Sequence, residues 1–171
     1  MAHPNDELIE RFYAAFNRRD GEAMAACYAP NAMFADPAFG RLDAEQTKAM
    51  WQMLTSQADD LTVELLEHQS DGTTGSARWI ARYTFTRTGR PVVNDVRSTF
   101  KFDDDGLIVE QNDKFGFYRW ARQALGRKGT WLGWTPQLQL RVLREARSRL
   151  ARFMHERDGG TVTAAPQNAD E

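Results

Sequence analysis

Between Ile9 and Gly40 the chain reads IERFYAAFNRRDGEAMAACYAPNAMFADPAFG, and this stretch limits the fold more than any other. Leu8, Ile9, Phe12, Tyr13 and Phe16 recur at helical spacing, with Asn5 or Asp6 as the expected N-cap and Asp20-Gly21 as the stop. A second, shorter helix is expected from Glu22 to Tyr28, closed by Pro30-Asn31. A brief strand then spans Ala32 to Asp36, because Pro37 denies the next ladder bond. Two helices followed by a strand announce a small α+β cone and place one carboxylate, Asp36, where such a cone has its cavity.

The rest of the chain agrees with that plan. Asp43 caps an expected third helix, Ala44 to Gln57, with Met50, Trp51, Met53 and Leu54 as its apolar stripe. From residue 61 the period switches to two, in the runs LTVELLEH, GSARWIARYTFTR, VVNDVRSTFKF and LIVEQNDKFGF, separated by short turns such as Asp71-Gly72 and Asp103-Asp104-Asp105-Gly106. Short turns predict antiparallel neighbours. Helices first and a curled sheet afterwards is an α+β plan in which helices cover one concave face of a mixed, mostly antiparallel sheet. Beyond Phe117 the pattern predicts a helix from Tyr118 to Leu125, a glycine-rich loop from Gly126 to Trp134, and a long helix from Pro136 to about Met154. The expected organisation is a core domain over 1–117, a helical extension packed on it over 118–155, and a polar, disordered tail over 156–171.

With 171 residues, 42% of them hydrophobic, the chain can close one sizeable core. Its net charge of −2 supplies no overall field toward nucleic acid or an anionic membrane. The average hides an asymmetry, since from Arg119 to Arg157 ten basic residues face only Glu145 and Glu156. Cys27 is the sole cysteine, so no intrachain disulfide forms, which suits a reducing compartment. Flanked by Ala26 and Tyr28, it reads as a small core residue, with a reactive thiol as the alternative. With no apolar leader and no run of about 18 apolar residues, a cytoplasmic location is expected.

The element order, the ERFYAAFNRRD helix, the YAPNAMFADPAFG strand entry and the closing EQNDKFGF strand together resemble the nuclear transport factor 2-like superfamily, in its SnoaL-like and ketosteroid-isomerase-like branch. The likeness spans roughly residues 7 to 117. It implies an NTF2-like cone, and a superfamily whose members include isomerases, cyclases, epoxide hydrolases, dehydratases and non-catalytic proteins, so the fold alone selects no reaction.

Residue by residue, Asp36-Pro37 matches the Asp-Pro pair that carries the general base in the steroid isomerases of this fold. The alternative is an aspartate that turns the chain ahead of a proline. Those isomerases add a tyrosine from the first helix and a protonated aspartate from the penultimate strand, and the resemblance puts Phe12 and Ser98 at these positions. Tyr13 is one residue off and about 100° away around the helix. Strand alternation points Asn94, Val96, Ser98 and Phe100 inward together with Gln111, Asp113 and Phe115. Asp113 matches a last-strand aspartate that acts in cyclases and epoxide hydrolases of the superfamily, with a rim ion pair to Arg82 or Lys114 as the alternative. Where the epoxide hydrolases carry an arginine and an aspartate, this chain has Trp79 and Ala81, which argues against their triad.

These readings converge on a cavity holding Asp36 and Asp113 as catalytic acids and bases. Asn94, Ser98 and Gln111 supply polar contacts, and Phe12, Phe16, Trp51, Trp79, Tyr83, Phe100 and Phe115 form aromatic walls. The expected ligand is a small hydrophobic or aromatic molecule, acted on by isomerisation, cyclisation or dehydration, or else held by a non-catalytic module of the same fold. His68 and His155 each stand alone, without a ligand partner at metal spacing, and phosphate-binding loops are absent, so no metal and no cofactor are expected. A homodimer through the open sheet face is expected, and no nucleic-acid partner. The arginine-rich C-terminal segment with Trp131 and Trp134 reads as a lid or an interface first, and as a membrane-surface contact or a solvated face second.

Overall fold

The computed structural model describes residues 3–159. Helix α1 spans Pro4–Asn17 and α2 Gly21–Ala25, followed by strands β1 (Tyr28–Asp36) and β2 (Gly40–Leu42). Helix α3 (Ala44–Gln57) precedes β3 (Thr62–Ser70), β4 (Thr74–Phe85), β5 (Arg90–Phe102) and β6 (Ile108–Lys114). Three helices close the described chain: α4 (Phe117–Leu125), α5 (Arg127–Leu132) and α6 (Pro136–Gly159). The six strands form one mixed, curved sheet in the order β2-β1-β6-β5-β4-β3. Strands β1 and β6 run parallel, and every other neighbouring pair is antiparallel. The architecture is the α+β, NTF2-like one that the sequence predicts.

Several element ends differ from expectation. Helix α1 starts earlier than Asn5 or Asp6 would allow, because His3 is the cap. Its Nδ1 accepts from the Asn5 amide at 3.1 Å, the Asp6 carboxylate answers to the His3 amide at 3.2 Å, and Pro4 occupies the first turn, where no amide is missed. Helix α2 ends at Ala25, short of Tyr28, which already opens β1 opposite Ile108. Pro30 lies inside β1 instead of ahead of it. The register shifts between Tyr28 and Met33, leaving Pro30 and Asn31 exposed where the missing N–H costs no ladder bond. At the C-terminal end α6 runs on to Gly159, so residues 156–159, expected in the polar tail, are helical. The remainder of that tail, 160–171, lies outside the described residues.

The core lies between the concave sheet face and the helices. Helix α1 buries Leu8, Ile9, Phe12, Tyr13 and Phe16, and α3 buries Met50, Trp51 and Met53 against them. Asp43 caps α3 as expected and forms a capping box with Gln46. A second, smaller cluster attaches α4, where Trp120, Ala121 and Ala124 pack with Val92, Tyr83 and Phe85. The amide of Gln123 adds a polar clamp, accepting from Val93 N at 2.8 Å and donating to Val93 O at 3.0 Å.

The predicted loop between Gly126 and Trp134 is largely helix α5. It folds so tightly onto α4 that a Cβ on Gly129 would lie 1.8 Å from the carbonyl oxygen of Ala121. Only glycine permits that approach. Among the described residues, no helix is long and apolar enough to cross a membrane.

Candidate active site

A cavity of about 440 Å³ opens between the sheet, α3 and the C-terminal helices. Phe16, Asp36, Trp51, Trp79, Tyr83, Asn94, Asp113 and Phe115 stand in its wall. Trp51 and Trp79 are buried in that wall and leave the space open. Phe12 does not reach it: wholly buried, it sits edge-on to Tyr13, Tyr28 and Trp51 at the centre of the aromatic core. Ser98, Phe100 and Gln111 face the same side of the sheet, but they lie behind the wall. Phe100 stacks on Phe102, and the two polar side chains serve Asp113.

Asp113 is the hub of a buried polar chain. Its Oδ1 accepts from Ser98 Oγ at 2.5 Å and from Gln111 Nε2 at 3.0 Å. Ser98 Oγ in turn accepts from Tyr13 Oη and from Trp79 Nε1, both at 2.9 Å. Gln111 Oε1 accepts from Tyr28 Oη at 2.5 Å, and Tyr28 Oη accepts from Trp51 Nε1 at 2.7 Å. The serine hydroxyl has one proton and two lone pairs, and all three are committed. Its proton has nowhere to point but Oδ1. Among the described residues no donor meets Asp113 Oδ2, and no buried side-chain polar atom is left unpartnered and sealed. Oδ2 therefore opens onto the cavity that Asp113 lines.

Burial is the main reason the Asp113 carboxyl is pushed up to about 7. The bonds from Ser98 and Gln111 oppose the rise, and the charge of Asp36 adds to it. Burial likewise holds the phenols of Tyr13 and Tyr28 well above the usual range, with the nearby Asp113 charge reinforcing it, so both remain donors. The rim ion pair considered for Asp113 does not form: Arg82 pairs with Glu64, and Lys114 is exposed.

Asp36 ends β1 at the cavity wall, where Pro37 cannot continue the ladder. Its Oδ1 accepts from the amides of Ala38 at 2.9 Å and Phe39 at 2.6 Å. Gly40, opposite Asp36 across the β1–β2 turn, adopts φ +69, a conformation that favours glycine. The aspartate thus makes the chain-turning contacts that the sequence allows and faces the cavity as well. Burial raises its carboxyl to about 6 against the backbone amides of Phe39, Ala38 and Gly40, which favour the anion. Burial raises the phenol of Tyr83, whose hydroxyl accepts from Trp120 Nε1 at 2.9 Å, and the Asp36 charge adds to the rise.

Sequence reasoning missed two members of this network, Tyr13 and Tyr28. The 100° offset of Tyr13 from Phe12 places its ring toward β4 and β5, where it reaches Ser98. The available signal was general: a tyrosine in an apolar helix face or strand entry must find a partner for its hydroxyl. Elsewhere, Cys27 is a buried free thiol raised by burial, and His68 pairs with Glu10 at 3.1 Å. Among the described residues no three His, Cys, Asp or Glu side chains gather where a metal could be held.

Comparison with known proteins agrees with this fold. Residues 9–111 match the SnoaL-like domain, so α4 to α6 lie beyond the matched region. Among solved structures the chain is similar to IdmH, a proposed polyketide cyclase from Streptomyces antibioticus, at 24% identity. That likeness covers 71% of this chain and 98% of the other, with a TM-score of 0.60. It is also similar to a protein of ketosteroid isomerase-like fold from Catenulispora acidiphila, at 13% identity over 69% and 92% of the two chains, TM-score 0.61. The third is SalBIII, an epoxide hydrolase/cyclase-like enzyme with a role in pyran ring formation in salinomycin, at 15% identity over 66% and 90%, TM-score 0.58. No curated protein sequence matches the chain. With the domain match spanning more than half of its length, the chain belongs to the SnoaL-like family.

Proposed function

We propose that the protein binds a small hydrophobic, carbonyl-bearing cyclic molecule and transfers a proton on it, with Asp36 as the base and Asp113 as the acid. The observation that carries this reading is one mostly apolar cavity with two buried carboxyls in its wall, both raised toward neutrality by burial, of which Asp36 is held by backbone amides and Asp113 is bonded on one oxygen only. The amides that Asp36 accepts from favour its anion, and the open Oδ2 of Asp113 leaves a place for a proton. Two hydrogen bonds already occupy Oδ1 of Asp113, so its proton resides on Oδ2, facing the ligand.

Asp36 removes a proton from the carbon next to the carbonyl, and the Asp113 Oδ2–H group donates to the oxygen on which negative charge grows. Return of the proton to a different carbon completes an isomerisation. Attack of the enolate carbon on a second carbonyl, with the proton passing to the new alkoxide, completes a cyclisation. Loss of a β-hydroxyl as water completes a dehydration. Cyclase chemistry among the structural relatives supports the choice of reaction class.

Deuterium uptake tests the first step without knowledge of the natural substrate. Incubated in D2O with 1-tetralone or a cyclic 1,3-diketone, the protein should accelerate exchange at the α-carbon, and Asp36→Asn and Asp113→Leu should each remove most of that acceleration. Exchange that is equally fast with both variants refutes the proposal.

A further inference from the structure

The cavity mouth differs in charge from the interior, and much of it comes from helices beyond the matched domain. Lys128 of α5, Arg141 and Arg149 of α6 and Arg87 of the β4–β5 turn border it, together with a single carboxylate, Glu145. That carboxylate is shared between two arginines: Arg87 Nη1 pairs with its Oε2, and Arg141 Nε lies 3.5 Å from its Oε1. Arg149 Nη2 donates at 2.7 Å to the neutral Gln57 Oε1. Lys128 is exposed and, among the described residues, has no ion pair. Four cations against one carboxylate leave the mouth with a surplus of three positive charges.

The wall around Asp36 and Asp113 is mostly aromatic and aliphatic, with Asn94 and the Tyr83 hydroxyl as uncharged polar groups and, among the described residues, no cation. A ligand carrying an anion would meet two carboxyls if that end entered first, and a cationic collar if it entered last. The difference sets its orientation.

We infer that the ligand is amphipathic, an apolar ring body bearing one anionic group such as a carboxylate, which Lys128, Arg141 and Arg149 hold at the mouth. The ring end then faces Asp36 and Asp113. This inference rests on the proposed function, since it names the substrate class of that same cavity. The collar stands on α5 and α6, so substrate orientation comes from the extension and the proton-transfer pair from the SnoaL-like body.

Two dyes with one ring skeleton provide the test: N-phenyl-1-naphthylamine, which is uncharged, and 8-anilinonaphthalene-1-sulfonate, which adds a single anionic group. Each is titrated by fluorescence into the full chain and into a Lys128→Gln/Arg141→Gln variant at low salt. The sulfonate should lose about five- to tenfold in affinity in the variant, the uncharged dye should change by less than about twofold, and the two should displace each other. An unchanged affinity for the sulfonate, an equal loss for both dyes, or sulfonate binding that the uncharged dye does not displace overturns the collar while leaving the cavity standing. Failure of both dyes to bind the unaltered chain overturns the cavity reading and the collar with it.

Discussion

Replacing Asp113 by asparagine should make the protein more stable at alkaline pH. The amide oxygen of the introduced side chain can accept the bonds from Ser98 Oγ and Gln111 Nε2, and its NH2 group would occupy the place of Oδ2 at the cavity wall. What disappears is the cost of ionising a buried acid. Asp113 stands at about 7 in the folded chain against an ordinary 3.8, a shift of about three units, worth about 4 kcal/mol at most. The sign is opposite to that of a salt-bridged aspartate. Because the folded state holds the proton more tightly, wild-type stability declines as pH rises from about 4 to about 7 and is flat above. Asp36, raised to about 6, adds a decline of the same sign. The Asp113→Asn variant lacks the larger contribution, so its advantage should grow by up to about 1.4 kcal/mol per pH unit across that window. At pH 8 this corresponds to a melting temperature higher by roughly 10 °C for a chain of this size. Urea unfolding of both proteins at pH 5, 6, 7 and 8 reads the difference directly. A stability difference that does not vary over this range, or a variant weaker than wild type at pH 8, would show that Asp113 is not a buried acid held neutral by its surroundings.

Other perturbations address the supporting structure. Tyr13→Phe deletes the phenol that donates to Ser98 while keeping its ring among Phe12 and Trp79; it should cost about 1 kcal/mol in urea unfolding and raise the Asp113 carboxyl further, visible as a shift of its titration by NMR. Gly129→Ala drives a methyl into the Ala121 carbonyl and should lower stability by about 2 kcal/mol, detaching α5 and, with it, weakening sulfonate-dye binding; full stability would contradict the close α4–α5 contact. Trp131 and Trp134 are 76% and 74% exposed, whereas Trp51, Trp79 and Trp120 are buried. Acrylamide should therefore quench one population of tryptophans readily, and Trp131→Phe/Trp134→Phe should abolish that component. Persistent protection of both side chains would mean that this face is covered in solution.

Much of the fold could be read along the chain because its signals are local. Helical spacing from Leu8 to Phe16, the Asp43 cap and the alternation in the four long strands depend on neighbours within a few residues, and the structure places α1, α3 and β3 to β6 where they predict. The errors gather where distant chain overrides a local signal. Pro30 sits within a strand because β6 pairs with β1 on both sides of it. Residues 127–132 form a helix because Gly129 can press against Ala121. At the site, alternation in β5 and β6 was enough to turn Ser98, Gln111 and Asp113 to one face, but not to say which side chain meets the cavity.

The sequence by itself determined the α+β plan, the inward facing of Asp113 and the position of Asp36 at a strand end before a proline, because periodicity and backbone chemistry act over short range. Only the tertiary structure decided that Phe12 is core while Tyr13 joins the polar chain, that Asp113 is bonded on one oxygen and open on the other, and that cations from α5 and α6 ring the mouth. Those outcomes depend on burial and on hydrogen bonds between residues as far apart as Tyr13 and Ser98, 85 positions along the chain. Burial, which raises a carboxyl from an ordinary acid to one near neutrality, arises only when distant segments together exclude water.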